Sequence, residues 1–158
     1  MSEEAARKIA EANEVFERDV GAWDSDVEIR PGPDAPVIRM KGTYHNRRIA
    51  GGRWLVVEYR SDSGFEGHGV YGWDDVRGRY VGIWVDSTQS AIAQSEGTWD
   101  PSSRTMTYVT TADLPGRTLR YREVMEGRED GAVVYRNFMP GPDGREYEMI
   151  HIVSRRRS

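Results

Sequence analysis

Three side chains in this sequence have the type and placement for proton chemistry: Asp86, Glu58 and His151. Asp86 ends the run Tyr80-Val81-Gly82-Ile83-Trp84-Val85-Asp86. In an extended chain it shares a face with Tyr80 and Trp84, at two-residue spacing. If that face lines a cavity, Asp86 is a buried or rim acid and a candidate general acid or base. The alternative is that Asp86, followed by Ser87 and Thr88, caps the strand end by bonding backbone groups in a turn. Glu58 shares a face with Trp54 and Val56, and Glu123 shares one with Leu119, Tyr121 and Met125. Acids flanked in this way lie at a mouth, pair with arginine or do chemistry. Arg60, Arg120, Arg122 and Arg136 are near in strand terms, which makes pairing the simpler fate. His151 alternates with Tyr147, Met149 and Val153 and reads as inward: a satisfied core histidine, a catalytic base or a haem ligand.

Other kinds of chemistry lack their residues. There are no cysteines, so disulfides, thiolate metal sites and cysteine nucleophiles are excluded. No two of the histidines, His45, His68 and His151, have a metal-ligand spacing, and no metal site is expected. Gly67, Gly69 and Gly72 resemble a nucleotide-binding loop only superficially, because no helix follows them. Glycines within a strand mark bulges or bending instead. The sequence has no serine nucleophile elbow, no Walker loop and no zinc-protease helix.

What remains is an aromatic load suited to a pocket, with five Trp and eight Tyr. Pockets are mostly apolar, with a few convergent polar groups that fix orientation. Trp54, Tyr71, Trp73, Tyr80, Trp84, Tyr121 and Tyr135 all fall in strand-like runs, and with Glu123 they form the candidate ligand-binding set. The competing reading is that these aromatics simply fill a core.

The elements that would position these groups follow from periodicity. Residues 2–18 predict one helix. Ser2 can cap it, Glu3 and Glu4 suit its first turn, and Ala5, Ile9, Ala12, Phe16 and Val20 form one apolar stripe. From Gly21 onward, short β-branched and aromatic runs alternate with turn signals. Strands are expected near 21–29, 38–48, 53–60, 65–74, 79–86, 90–98, 104–111, 117–126, 131–139 and 145–154. Pro31, Pro33 and Pro36 force a loop, and Asp74 to Gly78, Asp100 to Ser103 and Gly141 to Gly144 are turns. The loops are too short for parallel crossovers, so the strands form an antiparallel meander, and closure into a barrel removes its edges. The expected fold is mainly β: one domain over 1–158, a lipocalin-like, calycin-type barrel of about ten strands over 21–154 behind an N-terminal helix. The runs at Trp54–Tyr59 and Tyr80–Val85 are apolar on both faces. That implies an outer cover, from the helix or from a second copy in a homodimer.

Bulk properties narrow the partners. A chain of 158 residues can bury one sizeable core without staples. The formal net charge of −4 argues against nucleic acid, which needs a basic face. The basic residues are arginines except for Lys8 and Lys41, and Arg155-Arg156-Arg157 reads as a solvated terminus. No apolar run approaches the roughly 20 residues of a membrane span, and Met1 to Lys8 lacks a signal-peptide core. No membrane partner is expected, and a cytoplasmic location is.

Several motifs also resemble a known family. Gly21-Ala22-Trp23 is similar to the Gly-x-Trp that opens lipocalin and other calycin barrels. Gly51-Gly52-Arg53-Trp54-Leu55-Val56, Gly69-Val70-Tyr71-Gly72-Trp73-Asp74 and Arg79 to Ser87 follow in order. Gly116-Arg117, Arg122-Glu123-Val124, Gly141 to Gly144 and Met149 to Arg155 complete the series. From about Val15 onward the chain resembles the bacterial domain-of-unknown-function family numbered 1579. The resemblance implies a calycin-like barrel with a central cavity and no established activity. Trp73, Arg136 and His151 depart from the family's pattern, which has Tyr, an acid and an aliphatic residue there. Some ten-stranded calycin-like barrels bind haem through one histidine near the C-terminus, although their other motifs do not match this chain.

The leading functional expectation is binding of a small, largely apolar or aromatic organic molecule in the barrel, without a cofactor. A cofactor-free cyclase, isomerase or hydratase using Asp86, Glu58 or His151 is the alternative. Haem binding through His151 is a third.

Overall fold

The computed structural model describes all 158 residues. Ser2 accepts a hydrogen bond from the Ala5 amide at 3.2 Å and starts helix α1, Glu3–Glu17. Ten antiparallel strands follow: β1 Gly21–Ile29, β2 Ile38–Ile49, β3 Trp54–Ser61, β4 Glu66–Asp74, β5 Arg79–Asp86, β6 Ala93–Asp100, β7 Thr105–Leu114, β8 Arg117–Gly127, β9 Val133–Pro140 and β10 Glu146–Arg156. Each strand pairs with its neighbour in sequence, and β1 pairs with β10 to close the barrel. The ten strands fall close to the expected runs. β7 continues to Leu114, beyond the expected end at 111, because Pro115-Gly116 makes a two-residue turn. Gly116 has φ +77° there, and Pro followed by a positive-φ Gly is the chemistry of a type II turn.

Side chains alternate between lumen and solvent, and the buried set fixes the parity. Leu55, Tyr59, Tyr80, Met106, Tyr108 and Ile152 are all buried and inward. α1 lies across the end of the barrel where β3, β5 and β7 begin. Ala12, Val15 and Phe16 pack onto Leu55, Tyr80 and Met106, and the Phe16 ring meets Tyr80 edge-on at 5.7 Å. Arg48 anchors the helix from β2. Its guanidinium donates to the Asn13 carbonyl at 3.0 Å, to Asn13 Oδ1 at 2.8 Å and to Glu17 at 3.2 Å. The helix therefore plugs one end of the barrel and leaves the outer faces of the two-faced strands uncovered. On the outer face of β5, Ile83 and Val85 remain 44% and 40% exposed.

The glycines on the inner wall have a different use from the expected bulges. A Cβ at Gly82 would fall within the Tyr71 ring, one at Gly67 within the Trp84 ring, and one at Gly97 would sit 2.5 Å from Tyr108. Each missing side chain lets a large ring lie flat along the wall. The rings consequently line the lumen without filling it.

Candidate functional site

The lumen is a cavity of about 1270 Å³, larger than the roughly 300–1,000 Å³ of common small-molecule pockets. Its apolar lining includes Val27, Val57, Phe65, Met125 and Ile150, and its aromatic wall includes Tyr44, Tyr59, Tyr71, Tyr108, Tyr121 and Trp84. Ten strands leave such a space because barrel diameter grows with strand number.

One polar cluster crosses this apolar wall. Glu123 on β8 faces the lumen, and both its carboxyl oxygens are engaged. The Tyr135 hydroxyl on β9 donates to Oε2 at 2.5 Å, and the Thr110 hydroxyl on β7 donates to Oε1. Thr110 in turn shares a hydrogen bond of 2.7 Å with Ser95 on β6, and Asn137 Nδ2 donates to the Tyr135 oxygen at 3.3 Å. Five side chains from four adjacent strands, Glu123 among them, thus form one hydrogen-bonded network around its carboxyl. Burial raises the pKa of Glu123, and the two hydroxyl donors only partly offset that by favouring the anion. Burial also raises the pKa values of Tyr71, Tyr108 and Tyr135, and the charge of Glu123 adds to each. Asn137 is 3% exposed, and its Oδ1 has no partner.

A second acid lies at the helix end. Asp19 follows α1, and its backbone carbonyl accepts from Trp23 Nε1 at 3.0 Å and from Asn46 Nδ2 at 2.8 Å. These two bonds hold its carboxyl at the cavity wall. Burial raises its pKa to about 7 against the opposing charges of Arg156 and Arg18. A carboxyl that titrates near neutrality has the property of a general acid or base.

A family model and a solved structure place this architecture among known proteins. The family model described as "Protein of unknown function (DUF1579)" matches residues 9–156. The chain belongs to the DUF1579 family. No curated protein matches the chain. Among solved structures, the chain is similar to Rv2717c from M. tuberculosis. The TM-score is 0.70 at 11% identity, over 93% of this chain and 98% of that one. At that identity the likeness is one of fold, and it agrees with a calycin-like ten-stranded barrel.

Within this DUF1579 barrel the candidate residues separate by position. Tyr71, Trp84, Tyr121, Glu123 and Tyr135 line the lumen. Trp73 and Tyr80 also turn inward, but they pack on each other at 5.0 Å under the helix and belong to the plug. Trp54 lies on the outside, over Gly72. Glu58 faces outward too, opposite His45 and His68 in the strand register. Asp86 reaches the open mouth of the cavity and also caps the strand end. It accepts from Trp84 Nε1 at 3.0 Å and from the Thr88 amide at 2.8 Å.

His151 corrects the sequence reading most sharply. It points outward and bonds Glu148 through Nδ1 at 2.6 Å. A β-bulge between Glu148 and Ile150 shifts the register of β10. Tyr147 is paired with the inward Met139, whereas beyond the bulge Ile150 and Ile152 are paired with the inward Asn137 and Tyr135. One extra residue reverses the faces. His151 therefore presents no nitrogen to the lumen, either as a base or as a haem ligand. Asp19, Thr110 and Asn137 are site residues that the sequence analysis missed. Asp19 sits in a helix–strand joint where no periodicity operates. Thr110 and Asn137 join Glu123 only through the strand register.

Proposed function

We propose that this barrel binds a small, largely apolar or aromatic organic molecule in its lumen, oriented by Glu123 and its hydroxyl partners. The observation that carries the reading is the open cavity of about 1270 Å³, walled by rings that lie flat over glycines. A core built for stability alone closes such space, because interiors pack to crystal-like density. Native mass spectrometry and an absorption spectrum of the purified protein test the proposal, followed by titration with naphthalene-type fluorophores. A co-purified organic mass, or saturable binding competed by an apolar compound, is expected. Absence of both would overturn it.

The pairing of Glu123 with Tyr135 favours a second reading, a cofactor-free acid–base enzyme such as a cyclase, isomerase or hydratase. A buried carboxyl of raised pKa bonded to a phenol can deliver or accept a proton in a dry site. On this reading Glu123→Gln abolishes turnover of an identified substrate while retaining its binding. A variant with unchanged turnover refutes it.

A further inference from the structure

Taking the lumen to be a binding site, as proposed above, we infer that its ligand carries an amine, held jointly by Glu123 and Asn137. The two residues are direct cross-strand partners on β8 and β9. Side chains so placed have Cβ atoms about 4.5–5.5 Å apart, so one nitrogen can reach both.

The orientation of Asn137 follows from its neighbours. The Tyr135 hydroxyl directs its hydrogen to Glu123 at 2.5 Å, so the amide atom facing the Tyr135 oxygen must be a donor. That assigns Nδ2 to Tyr135 and leaves Oδ1, buried and without a partner, as an acceptor at the cavity wall. Asn46 on the same wall also has an unpartnered buried Oδ1, and Asp19 adds a second carboxyl. The unpartnered buried side-chain atoms on this wall, Oδ1 of Asn46 and of Asn137, are thus both acceptors, and the indole donors of Trp23 and Trp84 are already bonded to Asp19 and Asp86. The tyrosine hydroxyls can take either role.

No cation of the protein is bonded to Glu123 or to Asn137 Oδ1. Glu123 is bonded by hydroxyls only. The guanidiniums that border the cavity are at the helix end. There Arg156 lies over Trp23 at 4.4 Å and is tied to backbone carbonyls, and Arg18 lies over Trp99 at 5.3 Å. An ammonium has up to three N–H donors, enough for Glu123 and Asn137 together, whereas an alcohol has one and a carboxylate none. The surrounding aromatic wall also suits a cation, because ring faces are negative. The Tyr71 and Tyr108 rings, 5.6 Å apart, form part of that wall.

The test compares isosteric probes by calorimetry at neutral pH: 1-naphthylmethylamine, 1-naphthalenemethanol and 1-naphthoic acid. The amine is expected to bind at least about tenfold more tightly than the alcohol, and the acid most weakly. Glu123→Gln and, independently, Asn137→Leu should each shrink the gap between amine and alcohol. The order in the unaltered protein needs neither variant to fold. Naphthoic acid binding as tightly as the amine, or an amine preference that survives in both variants, would overturn the amine assignment and leave the cavity reading standing. Failure of all three probes to bind would overturn the cavity reading itself.

Discussion

Replacing Asp19 by Asn should stabilise the protein in a pH-dependent way. The backbone carbonyl of Asp19 holds Trp23 and Asn46, so the substitution leaves those bonds in place. What changes is the proton. The Asp19 pKa rises from 3.8 to about 7 on folding, chiefly through burial. Below the lower value both folded and unfolded chains carry the proton and the group contributes nothing. Between the two values the unfolded chain has lost its proton and the folded one still holds it, so stability falls as pH rises. Each tenfold change in proton affinity corresponds to about 1.4 kcal/mol, and the full span is about 4 kcal/mol. Because Asp19 borders an open cavity, solvent reduces that figure, and about 2–4 kcal/mol is expected. In a chain of this length that is roughly 5–15 °C in melting temperature. Thermal melts of both proteins from pH 3 to 8 would measure it. The curves should nearly coincide at the acid end and separate up to about pH 7, with the Asn protein the more stable. A constant gap, or one that closes with rising pH, would show that Asp19 is not held neutral by burial.

Other consequences concern the wall. Gly82→Ala places a methyl group in the Tyr71 ring and should cost about 1–3 kcal/mol in urea unfolding. It should also weaken lumen binding as the ring swings inward. Adding Tyr71→Leu should recover most of the stability. Gly72→Ala, which meets Trp54 on the outer face, should lower stability and leave lumen affinity unchanged. His151→Ala should change stability by less than about 0.5 kcal/mol and leave both affinity and absorption spectrum unaltered. An altered spectrum would contradict its outward placement.

The sequence carries more of this fold than of this site. The helix stripe containing Ala12 and Phe16 and the turn chemistry at Asp74 to Gly78 and Asp100 to Ser103 translate directly into elements, because each is a local preference. Facing direction is less local. In β3 both Leu55-Val57-Tyr59 and Trp54-Val56 are apolar, so alternation alone does not say which set turns in, and Glu58 goes outward with its neighbours. In β10 the bulge at Glu148–Ile150 reverses the parity that the spacing of Tyr147, Met149 and His151 implies. Glu123 is visible in the sequence as an acid among apolar neighbours on its own strand. Its pairing with Thr110, Tyr135 and Asn137 is not, because these residues are joined to it only across strands. Arginine pairing, the simple expectation for Glu123, gives way to hydroxyls because Arg120 and Arg122 on β8 alternate to the outer face, where Arg122 bonds Glu146 at 3.0 Å.

The closing pair of strands also governs how the molecule can be made. β1 is hydrogen-bonded to β2 on one side and to β10 on the other, with Trp23 opposite Arg156. On a ribosome the first strand emerges long before its last partner. Until β10 arrives, one edge of β1 is unpaired and the ring-lined inner wall is open to solvent. Neither condition persists in the finished barrel, and both invite pairing with another chain. The meander can form hairpin by hairpin from local contacts. The final seam joins residues more than a hundred positions apart, and such distant closure slows folding. Synthesis rate and chaperone access, more than the stability of the finished barrel, would then set the yield of soluble protein.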